Sequence, residues 1–130
     1  MKTLDSLRKR DLLASAKFDA AQVRAYAEDY FAQERFGEAF AFFRKAGEKE
    51  GVRRCKARAI ELGDPELLWQ IEHADRSEVT REDWLACGEK AEGMGKLRNA
   101  LYVYERLGET ARAEALRAQI NPPTAPAGHG

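Results

Sequence analysis

Little in this sequence points to a catalyst, a disulfide scaffold or a nucleic-acid binder. Only two cysteines occur in 130 residues, Cys55 and Cys87. They form no C-x-x-C pair and no zinc spacing, so they are expected to be small buried or half-buried thiols in a reducing compartment. Histidine is equally scarce. His73 lies beside Glu72 and Asp75, and His129 lies near the end. A metal site needs three or four convergent ligands, so no metal is expected at His73. Neither sign of charge is in excess, with 22 basic and 22 acidic residues. That excludes the broad basic footprint of a nucleic-acid binder. The run Arg8-Lys9-Arg10 is short, is followed at once by Asp11, and reads as a solvated helix face.

Long apolar runs are missing too. No stretch is able to span a membrane, and the N-terminal segment has no uninterrupted apolar core of the secretory kind, so a cytoplasmic protein is expected. Proline is rare, and three of the four prolines fall in the last ten residues, NPPTAPAGHG. That tail, 121–130, has no large apolar residue, cannot pack and is expected to be disordered. Catalytic signatures are absent. Gly93-Met94-Gly95-Lys96 is too short for a phosphate loop and ends a helix. Glu72 and His73 are adjacent and diverge on a helix. No nucleophile–base pair is suggested, so neither an enzyme nor a cofactor is expected.

What remains is helix-forming. β-Branched residues are few, and Leu, Ala, Glu, Lys and Arg dominate. With 44% hydrophobic residues the chain is apolar enough for one real core. The punctuation predicts about seven to eight short antiparallel helices. A weakly amphipathic helix covers 3–15. Asp19 caps a second over 20–33, and the turn Gln33-Glu34-Arg35 leads into a third over 36–46, ended by Gly47. A fourth spans 49–62 and stops at Gly63. Asp64-Pro65 restarts the chain as N-cap and first helical residue of a fifth, 65–74. A capping box, Thr80 with Asp83, opens a sixth at 81–92, and Gly93 and Gly95 break it. The seventh is 96–107, closed by Gly108, and the eighth is 109–120.

An internal echo lies 61 residues apart: FGEAFAFFRKAG (36–47) and LRNALYVYERLG (97–108). Stepping 3, 4, 7, 16, 20 and 23 residues from Val23 gives Tyr26, Ala27, Tyr30, Ala39, Phe43 and Ala46. The same steps from Trp84 give Cys87, Gly88, Ala91, Ala100, Tyr104 and Leu107. Small residues facing each other (Ala27 or Gly88 against Ala39 or Ala100) permit close approach of two helix backbones, and large aromatics fill the space beside them. At about 100° per residue, Phe36, Ala39, Phe40, Phe43 and Ala46 share one face, with Phe42 on its flank. Leu97, Ala100, Leu101, Tyr104 and Leu107 share the matching face, with Val103 on the flank. This aromatic cluster reads as packing. Tyr102 points away from the arc and is a candidate exposed contact. For Trp69, inside LLWQI, burial is the expected reading and an exposed interface anchor the alternative.

In these positions the chain resembles the tetratricopeptide-repeat (TPR) family, over 23–46 and 84–107. It departs from it where Cys87 replaces Leu, where Ala91 replaces Tyr, and where Gly51 and Arg112 stand at a position often held by Pro. The 61-residue spacing is shorter than two units of about 34 residues. The resemblance implies an all-α, TPR-like right-handed α-solenoid in a single domain, 1–120. Its units lie near 20–47, a degenerate 49–75, and 81–108, with a terminal helix over 109–120. It also implies a non-catalytic protein–protein interaction module, a scaffold or adaptor.

In that family the first helix of each pair lines a concave groove. The groove positions here would be Ala21, Arg24, Glu28 and Phe31, then Glu82, Leu85, Glu89 and Glu92. Family members that grip a peptide carboxylate use Lys, Arg and Asn there. Four of these eight positions are Glu, which implies a protein or peptide partner with a basic or mixed-charge surface. The competing reading is self-assembly into a homo-oligomer through the terminal helices, where Ala113, Leu116 and Ile120 form one stripe.

Overall fold

The structure, a computed structural model, describes residues 4–123. Among them are eight α-helices: α1 (Ser6–Ala14), α2 (Ala20–Ala32), α3 (Phe36–Lys45), α4 (Lys49–Glu61), α5 (Pro65–Ala74), α6 (Arg81–Gly93), α7 (Leu97–Leu107) and α8 (Thr110–Ile120). A single 3₁₀ turn, Arg76–Glu78, fills the polar break after α5. The protein is all-α, and its helices pack antiparallel, mostly on their sequence neighbours. Of the expected tail, residues 124–130 lie outside the described residues, as do residues 1–3, which include the first position of the expected 3–15 helix.

The starts follow from side chains that satisfy the first orphan amides. Asp5 accepts from the Arg8 amide, Asp19 from Ala21 and Gln22, and Asp64 from Glu66 and Leu67. The Thr80 hydroxyl accepts from the Asp83 amide while Asp83 accepts from the Thr80 amide, the reciprocal box that opens α6. Gly93 belongs to α6, and the chain turns two residues later at Gly95.

The links α2–α3 and α6–α7 are the same turn. Glu34 has φ 61° and Gly95, 61 residues on, has φ 76°. The Arg35 amide reaches back to the Tyr30 carbonyl at 2.9 Å, and the Lys96 amide to the Ala91 carbonyl at 2.8 Å. Gly47 and Gly108 repeat the correspondence after α3 and α7, with φ 73° and 72°.

The chain divides into two compact units, 1–58 and 59–130. In the first, α2 and α3 form the core with residues from α4. Val23, Ala27 and Tyr30 of α2 and Ala39, Phe42 and Phe43 of α3 are all fully or almost fully buried. Phe42, on the flank of that face and expected to serve packing, has no exposed surface; it is stacked on Tyr30 at 5.4 Å and tilted against Tyr26 at 6.1 Å. The reason is that α3 is covered from two sides. Phe42 serves α2, while Phe43 serves α4, where its ring lies directly against Gly51 and leaves no room for a Cβ.

The second unit repeats this. Val103, the counterpart of Phe42, is fully buried and meets Gly88 of α6, where a Cβ would lie 2.8 Å from its Cγ1. Tyr104, the counterpart of Phe43, joins Ala91, Ala100, Ala113 and Leu116 in one cluster between α6, α7 and α8, with Leu85, Leu97 and Leu101 at its edge. The helix α5 packs on the 3₁₀ turn, α6 and α7.

Candidate interaction surfaces

The groove positions expected on α2 are largely engaged inside the first unit. Arg24 is exposed and pairs with Glu48 at 3.5 Å. Glu28 pairs with Arg54 of α4. Phe31 is half-buried, edge-on to Phe36 at 5.0 Å, and the Arg54 guanidinium lies 4.3 Å above its ring. Ala21 is exposed.

On α6, Glu82 is exposed and Leu85 is half-buried against the core of the second unit. Glu89 pairs with Arg112 of α8 at 3.1 Å, and Glu92 accepts the Tyr104 hydroxyl at 2.8 Å. Burial, and after it the Glu92 carboxylate, push the Tyr104 phenol up to about 12.

One device recurs here that residue-by-residue alignment hides. Glu28 and Glu89 are counterparts, and so are Phe43 and Tyr104. In each unit an arginine from the third helix clamps both. Arg54 lies 5.5 Å over Phe43 and bonds Glu28; Arg112 lies 5.3 Å over Tyr104 and bonds Glu89. Each carboxylate holds its guanidinium above the ordinary arginine pKa, chiefly through that hydrogen bond. Yet Arg112 aligns with Gly51, one helical turn before Arg54. In the first unit Gly51 is needed for contact with Phe43, so the clamp comes from the next turn.

A different surface carries the exposed aromatics. Asp64 and Pro65 start α5 and set its phase: Leu67, Leu68 and Ile71 go inward and are buried. Trp69 then falls roughly 150° from the centre of that face. It is 44% exposed and stacks on His73 at 4.8 Å, which corrects the expectation that it is buried. The signal was present in the angle; the apolar context of LLWQI obscured it. On α7 the inward turn of Ala100, Val103 and Tyr104 sends Tyr102 outward, 43% exposed, as its position off the arc implies. Pro65, Glu66, Trp69, Asn99 and Tyr102 line one open cleft of about 310 Å³. Its floor is fixed by Asn99, whose amide donates to the Gly63 carbonyl at 3.0 Å.

No protein-family model, curated protein or solved structure matches the chain.

Both cysteines are fully buried, and burial pushes each thiol up to about 12. They are poor nucleophiles at neutral pH. Among the described residues no group of three His, Cys, Asp or Glu side chains is placed to hold a metal ion, and no helix is long and apolar enough to cross a membrane.

Proposed function

We propose that the protein is a non-catalytic interaction module of the TPR-like helical-repeat type, binding another protein through the cleft between α5 and α7. The carrying observation is that two large aromatics, Trp69 and Tyr102, stand nearly half exposed on one cleft. Exposed Trp and Tyr, each with an apolar body and a polar handle, are characteristic interface anchors. Support for the repeat reading is the recurrence of turns, small crossing residues and arginine clamps at equivalent places in both units.

The acidic positions on α2 and α6 support a partner site less well, because Glu28, Glu89 and Glu92 already serve Arg54, Arg112 and Tyr104. Self-assembly through α8 has no bare stripe behind it. Ala113 and Leu116 are buried within their own unit, and only Ile120 remains half-buried at the end.

The test is affinity capture with the full chain as bait, comparing wild type with Trp69→Ala/Tyr102→Ala. The double variant is expected to keep its helical circular dichroism and lose the captured partner. Equal capture by both baits would remove the cleft from the proposal.

A further inference from the structure

One arrangement recurs in both units: an aromatic ring, an arginine lying over it, and a glutamate that holds the arginine. Arg35 lies 4.8 Å over Tyr30 and pairs with Glu38. Arg54 lies 4.3 Å over Phe31 and pairs with Glu28. Arg106 lies 4.5 Å over Trp84 and pairs with Glu72, which also accepts the Trp84 indole N–H at 2.9 Å. Arg112 lies over Tyr104 and pairs with Glu89. The guanidinium suits this use. It is planar and weakly hydrated, so its face stacks on a ring while its edge donates to a carboxylate.

The cleft between α5 and α7 has two of the three parts. Glu66 and Trp69 stand three apart on α5 and so share one side of the helix. Both line the cleft with Tyr102. The same helix pair already builds one complete arrangement further along, where Glu72 of α5 meets Arg106 of α7, four residues beyond Tyr102. At the cleft the chain supplies no cation of its own. Among the described residues, Glu66 has no ion pair, and no Arg or Lys lies over the ring of Trp69 or Tyr102. The lining carries one negative charge and no positive one. The rings of Trp69 and Tyr102 do not stack on each other, and each has its own neighbour instead. His73 lies nearly parallel to the Trp69 indole, at 12°, yet does not line the cleft, so it fixes the ring without filling the site.

We infer that the cleft takes an arginine side chain of the partner protein, its guanidinium stacked on Trp69 beside Tyr102 and paired with Glu66. This rests on the cleft being the binding surface proposed above. The partner then completes in trans the arrangement that the chain builds repeatedly from its own residues. Lysine fits less well, because a compact, strongly hydrated ammonium has no flat face to lay on the indole. Acidic residues next to the arginine would meet Glu66 and be repelled, so the segment that docks is basic or neutral around it.

The probe is a pentapeptide with blocked ends, Gly-Gly-Arg-Gly-Gly, added to the full chain and read in the nitrogen-15 spectrum. The Trp69 indole N–H and the Tyr102 amide are expected to shift and saturate in the millimolar range. Citrulline in place of the arginine keeps the shape and removes the charge. That peptide, and the arginine peptide on Glu66→Gln at unchanged helical circular dichroism, are each expected to bind roughly three- to tenfold more weakly. No saturable shift would overturn the inference, as would equal binding of arginine and citrulline or indifference to Glu66→Gln. A lysine peptide binding as tightly as the arginine one would overturn the choice of arginine. Shifts that grow with chain concentration in the absence of peptide would make the occupant an arginine of a second copy and remove the separate partner. Partner capture that depends on Trp69 and Tyr102 but is unchanged in Glu66→Gln would leave the interaction module standing and remove the arginine from it. Equal capture by wild type and Trp69→Ala/Tyr102→Ala, with the arginine peptide still bound, would keep the arginine site and remove only the captured partner from it.

Discussion

Glu34 and Gly95 occupy the same turn, and only one of them is suited to it. A left-handed backbone costs an L-residue with a side chain about 1–2 kcal/mol, while glycine adopts it freely. Glu34 holds φ 61° there, and its exposed carboxylate gains only a 3.6 Å pair with Arg58. The turn is kept by the Arg35 amide bond to Tyr30 and by the packing of α2 on α3. Glu34→Gly is therefore expected to stabilise the protein, by about 0.5–1 kcal/mol after the added freedom of glycine in the unfolded chain is subtracted. Chemical denaturation measures this directly; a midpoint at or below that of wild type would contradict it. The two thiols have the opposite bearing on stability. Each is held neutral by burial, its pKa raised from 9.0 to about 12. A raised thiol pKa contributes stability that is complete below pH 9 and is lost as pH climbs toward 12. Stability should fall across that window, and Cys87→Ala should flatten the fall. An unchanged alkaline slope in Cys87→Ala would show that the buried thiol does not drive it.

At the scale of the element, the crossing of α6 and α7 depends on a missing methyl group. Helix propensity favours Gly88→Ala by about 1 kcal/mol. The site opposes it, since the new Cβ would sit 2.8 Å from Val103 Cγ1 and 3.2 Å from the Tyr104 ring. Both neighbours are fully buried and have nowhere to go, and overpacking of this kind costs about 1–3 kcal/mol. Gly88→Ala should therefore destabilise on balance. Val103→Ala combined with it should cost less than the sum of the two single changes. Strict additivity would mean that the contact is not what limits the crossing. The equivalent position in the first unit carries Ala27, which is fully buried, and there the counterpart of Val103 is Phe42. Helix boundaries were legible here because Asp19, Asp64-Pro65, Thr80, Gly47 and Gly108 each satisfy or release a specific backbone group. The burial of Phe42 and Val103 was legible too, as the flank of a broad apolar arc. A helix between two neighbours buries an arc that includes its flank.

At the scale of the molecule, what the sequence concealed is which charges are already taken. Net charge is zero, and eight positions could be read as a groove with four free glutamates. The tertiary structure gives Glu28 to Arg54, Glu89 to Arg112 and Glu92 to the Tyr104 hydroxyl. Those partners lie 26, 23 and 12 residues away, beyond the reach of any local spacing rule. The same blindness hid the cleft, since Trp69 and Tyr102 meet only when α5 lies on α7. Reversing charge on α6 should consequently be felt first by the fold. In Glu89→Lys/Glu92→Lys, Arg112 faces a like charge and Tyr104 loses its acceptor, so the melting temperature should drop, and added salt should recover part of the loss by screening the exposed pair. Pairing Glu89→Lys with Arg112→Glu should restore much of the stability lost in Glu89→Lys alone, because the attraction is rebuilt with its signs exchanged. Melting curves indifferent to all of these changes would mean that the clamp over Tyr104 holds nothing. If they respond as expected, loss of a partner in the α6 reversal reports a weakened second unit, whereas loss in Trp69→Ala/Tyr102→Ala, at an unchanged melting temperature, reports the binding surface itself.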